Sequence, residues 1–416
     1  MQIRPLIHTA VLPLLLGPGL ALATNGYFSH GYGVKSQGLA GTAIALPQDG
    51  LAAATNPAGT AFVGNRFDVG LTWFRPARGS EISGNGAGLN GSYDANDTQN
   101  FFIPELGFVR QVSPEVALGV AIYGNGGMNT DYGNNPFRAF GATGSAGVNL
   151  EQLYVSPSVA YKLTENHALG LALNFAYQRF KAEGIGPFGA YSASPGNFTN
   201  QGTDSATGWG VRLGYTGRIT PEVTIGATWA SKTKSGNFDK YKGLFAEDGG
   251  FDIPANFGAG VAWKASDRLT LAADVQRIQY SDVRSVGNQL SELFSGNLFG
   301  TANGPGFGWK DVTVGKVGVE YALSDWILRA GYSHATQPIP QSQTLLNILA
   351  PGVVQNHLSL GATWNIGQAG ELSFAYTHAF KKTVNGSGSI PAAYGGGEAD
   401  IDLSEDILGI AYGWKF

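Results

Sequence analysis

The last nine residues, 408–416, read LGIAYGWKF, and large apolar side chains alternate there with small or polar ones. In an extended strand, Leu408, Ile410, Tyr412, Trp414 and Phe416 all point to one face. A broad apolar face opposite a face of small residues, ending in an aromatic residue, is typical of a strand in a membrane-spanning β-barrel. The final strand of a soluble β-sandwich has the same alternation, so the rest of the chain must decide.

The other end of the chain has the features of a secretory signal peptide. Arg4 precedes a mostly apolar stretch over residues 6–22, and residues 21–23 form an A-x-A cleavage site. The apolar stretch is short and contains two prolines, which argues against a retained transmembrane helix. We therefore assign residues 1–23 to a signal peptide and expect an exported mature chain.

Composition excludes several classes of protein. Cysteine is absent, which rules out disulfides and thiolate chemistry, and the formal net charge of −4 offers no attraction for nucleic acid. Glycine is abundant at 62 residues and aromatic residues make up 12%, yet no apolar run after the signal peptide is long enough for a membrane helix. Apolar residues that alternate with polar or small ones, without long apolar runs, are characteristic of membrane-spanning barrels.

Short turns alternate with long polar loops along residues 66–416. The short turns lie at 113–115, 164–166, 220–222, 266–268, 324–326 and 367–370, and the long loops at 77–98, 126–148, 184–206, 236–253, 283–309, 337–353 and 384–402. Six short turns and seven long loops connect fourteen strands, with the two kinds of connection at opposite ends. The sequence therefore predicts an all-β fold, a transmembrane antiparallel up-and-down β-barrel of 14 strands. Both mature termini are expected on the periplasmic side.

About forty residues, 24–65, precede the first strand and contribute nothing to the alternation. They are rich in small residues and poor in charge, unlike a disordered tail. We expect this segment to fold back as an N-terminal hatch plugging the lumen, and a disordered periplasmic extension is the alternative.

Several stretches resemble the FadL/TodX family of outer-membrane transporters. The match begins with GLAGTA at 38–43 and NPA at 56–58, and continues through residues 123–132, 174–179, 310–314 and 328–332 in family order. The chain departs from the family at 47–49, where many members have a more acidic run, which leaves details of the hatch open.

The resemblance implies a fourteen-stranded barrel with a hatch in the Gram-negative outer membrane, acting as a passive channel for hydrophobic compounds. The ligand would be captured by extracellular loops, enter a lumenal pocket and leave sideways at a kinked third strand. Long-chain fatty acids are the first expected substrate, and aromatic or aliphatic hydrocarbons are the alternative. Implied partners are these small molecules, outer-membrane lipid and lipopolysaccharide. The barrel-assembly machinery would engage the C-terminal strand ending at Phe416. We expect a monomer without a cofactor or metal.

Residues for each step follow from the resemblance together with local pattern. A landing surface is expected at Leu290, Leu293, Phe294 and Leu298, whose spacing gives one apolar helical face, although packing within the loop explains the same pattern. A similar, shorter apolar patch covers residues 345–349.

Glycine permits bulges and close backbone approach in a strand, so the kink is expected at Gly124, Asn125, Gly126 and Gly127. An ordinary strand-to-loop exit is the alternative. In the hatch, Gly38, Gly41 and Ala58 are family positions, and Asn56 with Pro57 are expected to form a structural hinge.

A fatty-acid carboxylate would favour Arg or Lys at the polar end of an apolar pocket. By resemblance these residues are Arg179 and Lys310. By alternation along their strands, Lys310 is expected to point into the lumen. Arg179 is expected to point outward, and a β-bulge would be needed for it to face the lumen. Inward charges expected to hold the hatch are Glu105, Arg212, Asp274, Lys316, Glu320 and Arg329.

Two other functions compete with transport of hydrophobic compounds. An outer-membrane enzyme would need clustered histidine and acidic or serine partners, yet the five mature histidines have no ligand or catalytic spacing. A general diffusion porin would have an open lumen, against which the hatch-like segment argues.

Overall fold

A computed structural model describes residues 25–416. The predicted signal peptide, residues 1–23, lies outside these described residues.

Sixteen strands are present in the described part of the chain, and fourteen of them form one closed antiparallel barrel. They are β1 (Arg66–Ser83), β2 (Gly91–Asp94), β3 (Phe101–Gln111), β4 (Val116–Tyr132), β5 (Ala146–Thr164), β6 (His167–Glu183), β7 (Asp204–Arg218), β8 (Val223–Ala230), β9 (Lys234–Ser235), β10 (Asn256–Lys264), β11 (Leu269–Ile278), β12 (Val312–Leu323), β13 (Trp326–Ala335), β14 (Asn356–Ile366), β15 (Gly370–Val384) and β16 (Glu398–Lys415).

Each long strand pairs with the next, and β16 pairs back onto β1 from Arg66 with Lys415 to Ser83 with Glu398. The two short strands, β2 and β9, add to β1 and β7 at the rim. The pairing of β16 with β1 joins the first and last barrel strands into a closed sheet, as a bilayer requires of a β-structure. The predicted fourteen-stranded barrel is confirmed.

Helical structure is confined to the hatch segment and the long loops. The α-helical turns are α1 (Val34–Gln37), α2 (Ala52–Thr55), α3 (Ala246–Gly249), α4 (Arg284–Gly287) and α5 (Thr344–Asn347). The 3-10 helices are Pro57–Phe62, Arg138–Phe140, Gly186–Tyr191, Pro195–Asn197, Asp239–Tyr241, Tyr280–Asp282, Leu290–Ser295, Gln341–Gln343 and Ala392–Tyr394. Within residues 25–416, none of the helices has the length and apolarity needed to cross a membrane.

Alternation along the strands separates two environments. Outward side chains such as Trp209, Val317 and Leu360 are exposed, whereas their inward neighbours are buried. Trp326 and Trp364 stack at 6.0 Å between ring centroids near the short-turn end, as an interfacial aromatic belt would have them. Several strands extend further than the sequence predicted at the long-loop end. β1 continues to Ser83 although a loop was expected from residue 77, because its polar residues there still alternate between wall and lumen.

Candidate transport site

Residues 25–65, the hatch segment, are almost entirely buried and contact strands on all sides of the barrel. Five of the predicted inward charges bind its backbone or side chains. Glu105 accepts from Val34 N (3.0 Å), Asp274 accepts from Ala43 N (2.8 Å), Arg212 donates to Thr55 O (3.2 Å), Lys316 donates to His30 O (2.9 Å), and Arg329 donates to Gln48 Oε1 (2.8 Å). Charges from five wall strands thus hold this segment, as the sequence predicted.

A second ionic cluster ties the segment to the short-turn end of the barrel. Glu371 on β15 accepts from Lys35 of the hatch segment and from Arg66 at the start of β1 (2.7 Å). Arg66 also pairs with Asp68 at 2.7 Å, and Asp68 accepts from Gly50 N at 2.8 Å. Sequence reasoning missed this cluster because Glu371 lies some three hundred residues from its partners.

Asn56 anchors the segment to the wall. Its side-chain amide donates to Ile44 O (2.8 Å) and Tyr215 O (2.9 Å), and its Oδ1 accepts from Ala58 N (3.2 Å). The wall has a glycine opposite: a Cβ added at Gly214 would lie 2.0 Å from Asn56 Oδ1. The predicted hinge position is therefore a tightly fitted contact between the hatch segment and β7.

His30 is buried in the lumen, with 1% of its surface exposed. Its ring stacks on His357 with centroids 5.6 Å apart, and its Nε2 lies 3.2 Å from Thr377 Oγ1. Burial, and then the ammonium of Lys316, lower the pKa of His30 from 6.5 to about 3. Protonation of this ring is therefore coupled to the packing of the hatch segment.

The third long strand, β4, leaves its neighbour half-way along its length. Pairing between β3 and β4 covers only Leu106–Gln111 with Ala117–Ile122, and the upper half of β3 pairs with β1 alone. Just beyond Ile122, the register between β4 and β5 shifts by one residue between Gly124 and Gly126. Every residue from Tyr123 to Met128 is buried, and the register shift falls at the glycines singled out in the sequence; we call this stretch the bend in β4.

Hatch residues take the place of β3 beside this bend. Ser29 N donates to Asn125 O (3.0 Å), Gly127 N donates to Tyr27 O (3.0 Å), and Phe28 forms an antiparallel bridge with Gly126. A Cβ on Gly126 would lie 1.8 Å from Tyr27 O, so only glycine allows this approach. The beginning of the hatch segment and the bend in β4 thus form one unit.

A small apolar cavity of about 40 Å³ lies among the long loops at the end opposite the short turns. We call it the outer cavity. Its walls contain seven phenylalanines and no charged side chain: Phe137, Val148, Phe180, Ile185, Phe188, Phe198, Leu244, Phe245, Ser285, Phe299, Pro305, Gly306, Phe307, Leu346 and Leu349.

A smaller cavity of about 20 Å³, the inner cavity, lies against the bent part of β4. Its lining is apolar except for Asn129 and Arg78: Phe74, Pro76, Arg78, Gly127, Met128, Asn129, Ala350, Pro351, Gly352 and Leu403. The inner cavity therefore adjoins the stretch where β3 and β4 are not paired.

One loop separates the two cavities. Leu346 and Leu349 face the outer cavity, whereas residues 350–352 line the inner one. The bent strand holds this loop, since Thr130 Oγ1 donates to Leu349 O and Tyr132 Oη donates to Ile348 O, both at 2.8 Å. A molecule passing between the cavities must displace this partition.

The family model described as outer membrane protein transport protein (OMPP1/FadL/TodX) matches residues 21–416. The chain belongs to this family.

Known members of the FadL/TodX family resemble the chain over nearly its whole length. A long-chain fatty acid transport protein of Escherichia coli K12 is 24% identical over 422 residues, covering 89% of this chain and 92% of that protein. The toluene transporter TodX of Pseudomonas putida has a TM-score of 0.69 at 20% identity, with 93% of this chain and 99% of TodX covered. A FadL homologue from Pseudomonas aeruginosa has a TM-score of 0.71 at 17% identity, with coverages of 94% and 100%.

Family membership makes this chain an outer-membrane β-barrel transporter of hydrophobic compounds in a Gram-negative bacterium. The family is one of channels and not of enzymes. Within residues 25–416, no group of three or more His, Asp or Glu side chains is arranged to hold a metal ion.

The predicted landing residues of this FadL/TodX-family chain are divided between two environments. Leu290 and Leu293 are buried, whereas Phe294 and Leu298 are 54% and 40% exposed. They lie on and just after a short 3-10 helix, whose turn differs from the α-helical spacing that placed them on one face. The single apolar face expected from the sequence is therefore not present. The shorter apolar patch predicted at residues 345–349 does contribute to a cavity, since Leu346 and Leu349 line the outer cavity.

The predicted carboxylate site is not assembled. Lys310 was expected on the lumen side of a strand, but β12 begins only at Val312 and the Lys310 side chain is exposed. Arg179 lies on the outward face of β6, as its parity indicated, and pairs with Glu151 at 3.3 Å. It lines a polar recess on the outer surface together with Asn129, Glu151 and Lys181. Sequence reasoning missed Arg78, the cation that does line a cavity, because residue 78 was assigned to a loop.

Proposed function

We propose that this chain carries long-chain fatty acids passively across the outer membrane by way of the outer cavity, the inner cavity and the unpaired edge between β3 and β4. The observation that carries the proposal is the series of two apolar cavities leading from the long loops to that edge. The name of the Escherichia coli relative supports a fatty acid as substrate.

Capture would take place at the long loops. Exposed Phe294 and Leu298 offer a first apolar contact, and the loops that line the outer cavity would then part to enclose the ligand. Transfer from water gains roughly 25 cal/mol per Å² of apolar surface, which suffices for capture without an energy source.

Transfer to the inner cavity would require the loop at 346–352 to move. Its backbone bonds to Thr130 and Tyr132 lie on the bent strand itself. A ligand that displaces this loop therefore also disturbs β4, which links passage between the cavities to the state of the bend.

Exit would occur sideways into the outer leaflet. Above Ile122, β4 has no β3 partner, and the hatch pairs with it from inside. The hatch segment fills the lumen below, so the lateral path is the shorter one. A ligand leaving there enters hydrocarbon without crossing the polar interior.

Neutral hydrocarbons are the second candidate substrate. The outer cavity favours them specifically, because its phenylalanine lining contains no group that would recognise a carboxylate.

Uptake of labelled oleate and labelled toluene separates these possibilities. Both are offered to cells lacking their own transporter, with and without this chain. Saturable oleate entry that depends on the chain supports the proposal. Entry of toluene alone supports the second candidate, and leakage of small sugars without either compound would contradict both.

A further inference from the structure

We infer that Arg78 is the specificity-determining residue for acidic ligands, binding their carboxylate in the inner cavity and thereby releasing the bent part of β4. This inference rests on the proposed function, of which it names the ligand chemistry and the residue.

Arg78 is a buried cation without an acidic partner. Its side chain is 4% exposed, and it forms no ion pair with any described residue. Charged side chains are seldom buried to this extent unless paired. Among residues 25–416, it is also the only charged residue lining the inner cavity. An anion arriving there would meet a desolvated guanidinium that has no carboxylate within ion-pair distance, although Asp94, Asp131 and Glu405 interact with it electrostatically.

The Arg78 guanidinium donates its hydrogen bonds to uncharged oxygen atoms. Arg78 Nη1 donates to Asn129 O at 2.6 Å and to Asn129 Oδ1 at 2.7 Å, and Nε lies 3.4 Å from Asn96 Oδ1. Asn129 belongs to β4 beyond the bend, where β3 no longer pairs. Arg78 therefore ties β1 to the bent strand across the place where the barrel wall is incomplete.

A carboxylate is a better partner for this group than an amide. A carboxylate pairs with a guanidinium through two parallel charge-assisted hydrogen bonds and brings a full opposite charge, which the amide of Asn129 does not. A fatty acid in the inner cavity would take the Nη1 donors from Asn129 and so untie β4 from β1. A hydrocarbon of the same length has no group that can do this.

Glu405 modulates the same site. It lies on β16 between Leu403 and Ile407, directly across from Pro76, and is 1% exposed. Neither carboxylate oxygen has a hydrogen-bond partner among residues 25–416, although the group interacts electrostatically with Arg78. Any charge that Glu405 carries competes with a ligand carboxylate for Arg78, so its removal should favour acidic ligands.

The test compares initial uptake rates of labelled oleate and labelled toluene in whole cells producing the full chain. Arg78→Met should lower oleate uptake about tenfold or more, the size expected for loss of a charged hydrogen bond, and leave toluene uptake unchanged or faster. Glu405→Gln should raise oleate uptake and leave toluene uptake unchanged. Arg75→Met, on the same strand with its side chain exposed outside, is the matched control and should behave as the parent chain.

Each other result overturns the inference. If uptake of both compounds falls equally in Arg78→Met, Arg78 only holds β1 and β4 together. If oleate uptake is normal in Arg78→Met, Arg78 does not bind the carboxylate. If Arg78→Met does not reach the membrane as a folded barrel, slower oleate uptake in Glu405→Gln contradicts the inference by itself. If the parent chain imports toluene but not oleate, it still transports hydrophobic compounds, but Arg78 does not recognise a carboxylate. A parent that imports neither removes the proposed function as well.

Discussion

The amide of Gly127 donates a hydrogen bond to the carbonyl of Tyr27 at 3.0 Å, joining the start of the hatch segment to the bend in β4. This contact lies where β3 has ended its own pairing with β4. A movement of residues 27–29 therefore changes the bend, and a movement of the bend changes the hatch segment.

Gly126→Ala should weaken this contact, because the new methyl group would lie 1.8 Å from Tyr27 O. The backbone must shift to relieve the overlap, and the bridge to Phe28 is lost with it. We expect larger and more frequent single-channel openings in planar bilayers. Gly315→Ala, at a wall glycine with open space around it, is the control and should leave conductance unchanged. Identical traces for both variants would contradict the coupling.

Asn56→Ala should loosen the contact by which Asn56 anchors the hatch segment to the barrel wall. The substitution removes the bonds to Ile44 O and Tyr215 O and leaves both carbonyls buried without this donor. Loss of such bonds costs about 1 to 3 kcal/mol for each group left unsatisfied. Proteolysis of the intact protein should then cut within residues 25–65 at lower protease concentration. Unchanged protection and unchanged conductance would count against an anchoring role.

Acid should loosen the hatch segment through His30. Its folded pKa, about 3, lies below its ordinary value of 6.5, so the docked state gains full stability above pH 6.5 and loses it as pH falls toward 3. At pH 5 the loss amounts to about 2 kcal/mol. His357 stacks on the same ring and Lys316 lies beside it, so a proton there has no counter-charge.

The measurement is channel conductance at pH 7.5 and pH 5. The parent chain should open more at pH 5, and His30→Gln should show a smaller difference between the two values. A parent chain with equal conductance at both would contradict the prediction.

Filling the outer cavity should slow uptake of every hydrophobic ligand. Leu346→Trp places a larger side chain into this small apolar space without introducing charge. We expect oleate and toluene uptake to fall together, unlike the selective effect expected for Arg78. Leu360→Trp, on the exposed outer face of β14, is the control. Normal uptake in Leu346→Trp would exclude the outer cavity from the path.

Alternation was sufficient to predict the barrel, because each strand has one face toward lipid and one toward the lumen. The glycines at 124–127 were recognisable because a bend needs residues without Cβ atoms. Inward charges such as Lys316 and Asp274 were also recognisable, since a charge on the lumen face must have a partner.

Contacts between distant segments were not predictable in this way. The outer cavity draws its phenylalanines from loops more than a hundred residues apart, and no local pattern joins them. Lys310 was misplaced because parity holds only inside a strand, and β12 starts two residues later. Arg78 was overlooked because β1 extends into a stretch whose polar residues suggested a loop.

Deletion of Asn125 tests lateral passage most directly. This residue is the single insertion that shifts the register between β4 and β5, so its removal should restore regular pairing and straighten the strand. We expect a folded barrel in the outer membrane that no longer takes up oleate or toluene. Uptake at the parent rate through a correctly folded deletion variant would contradict lateral exit between β3 and β4.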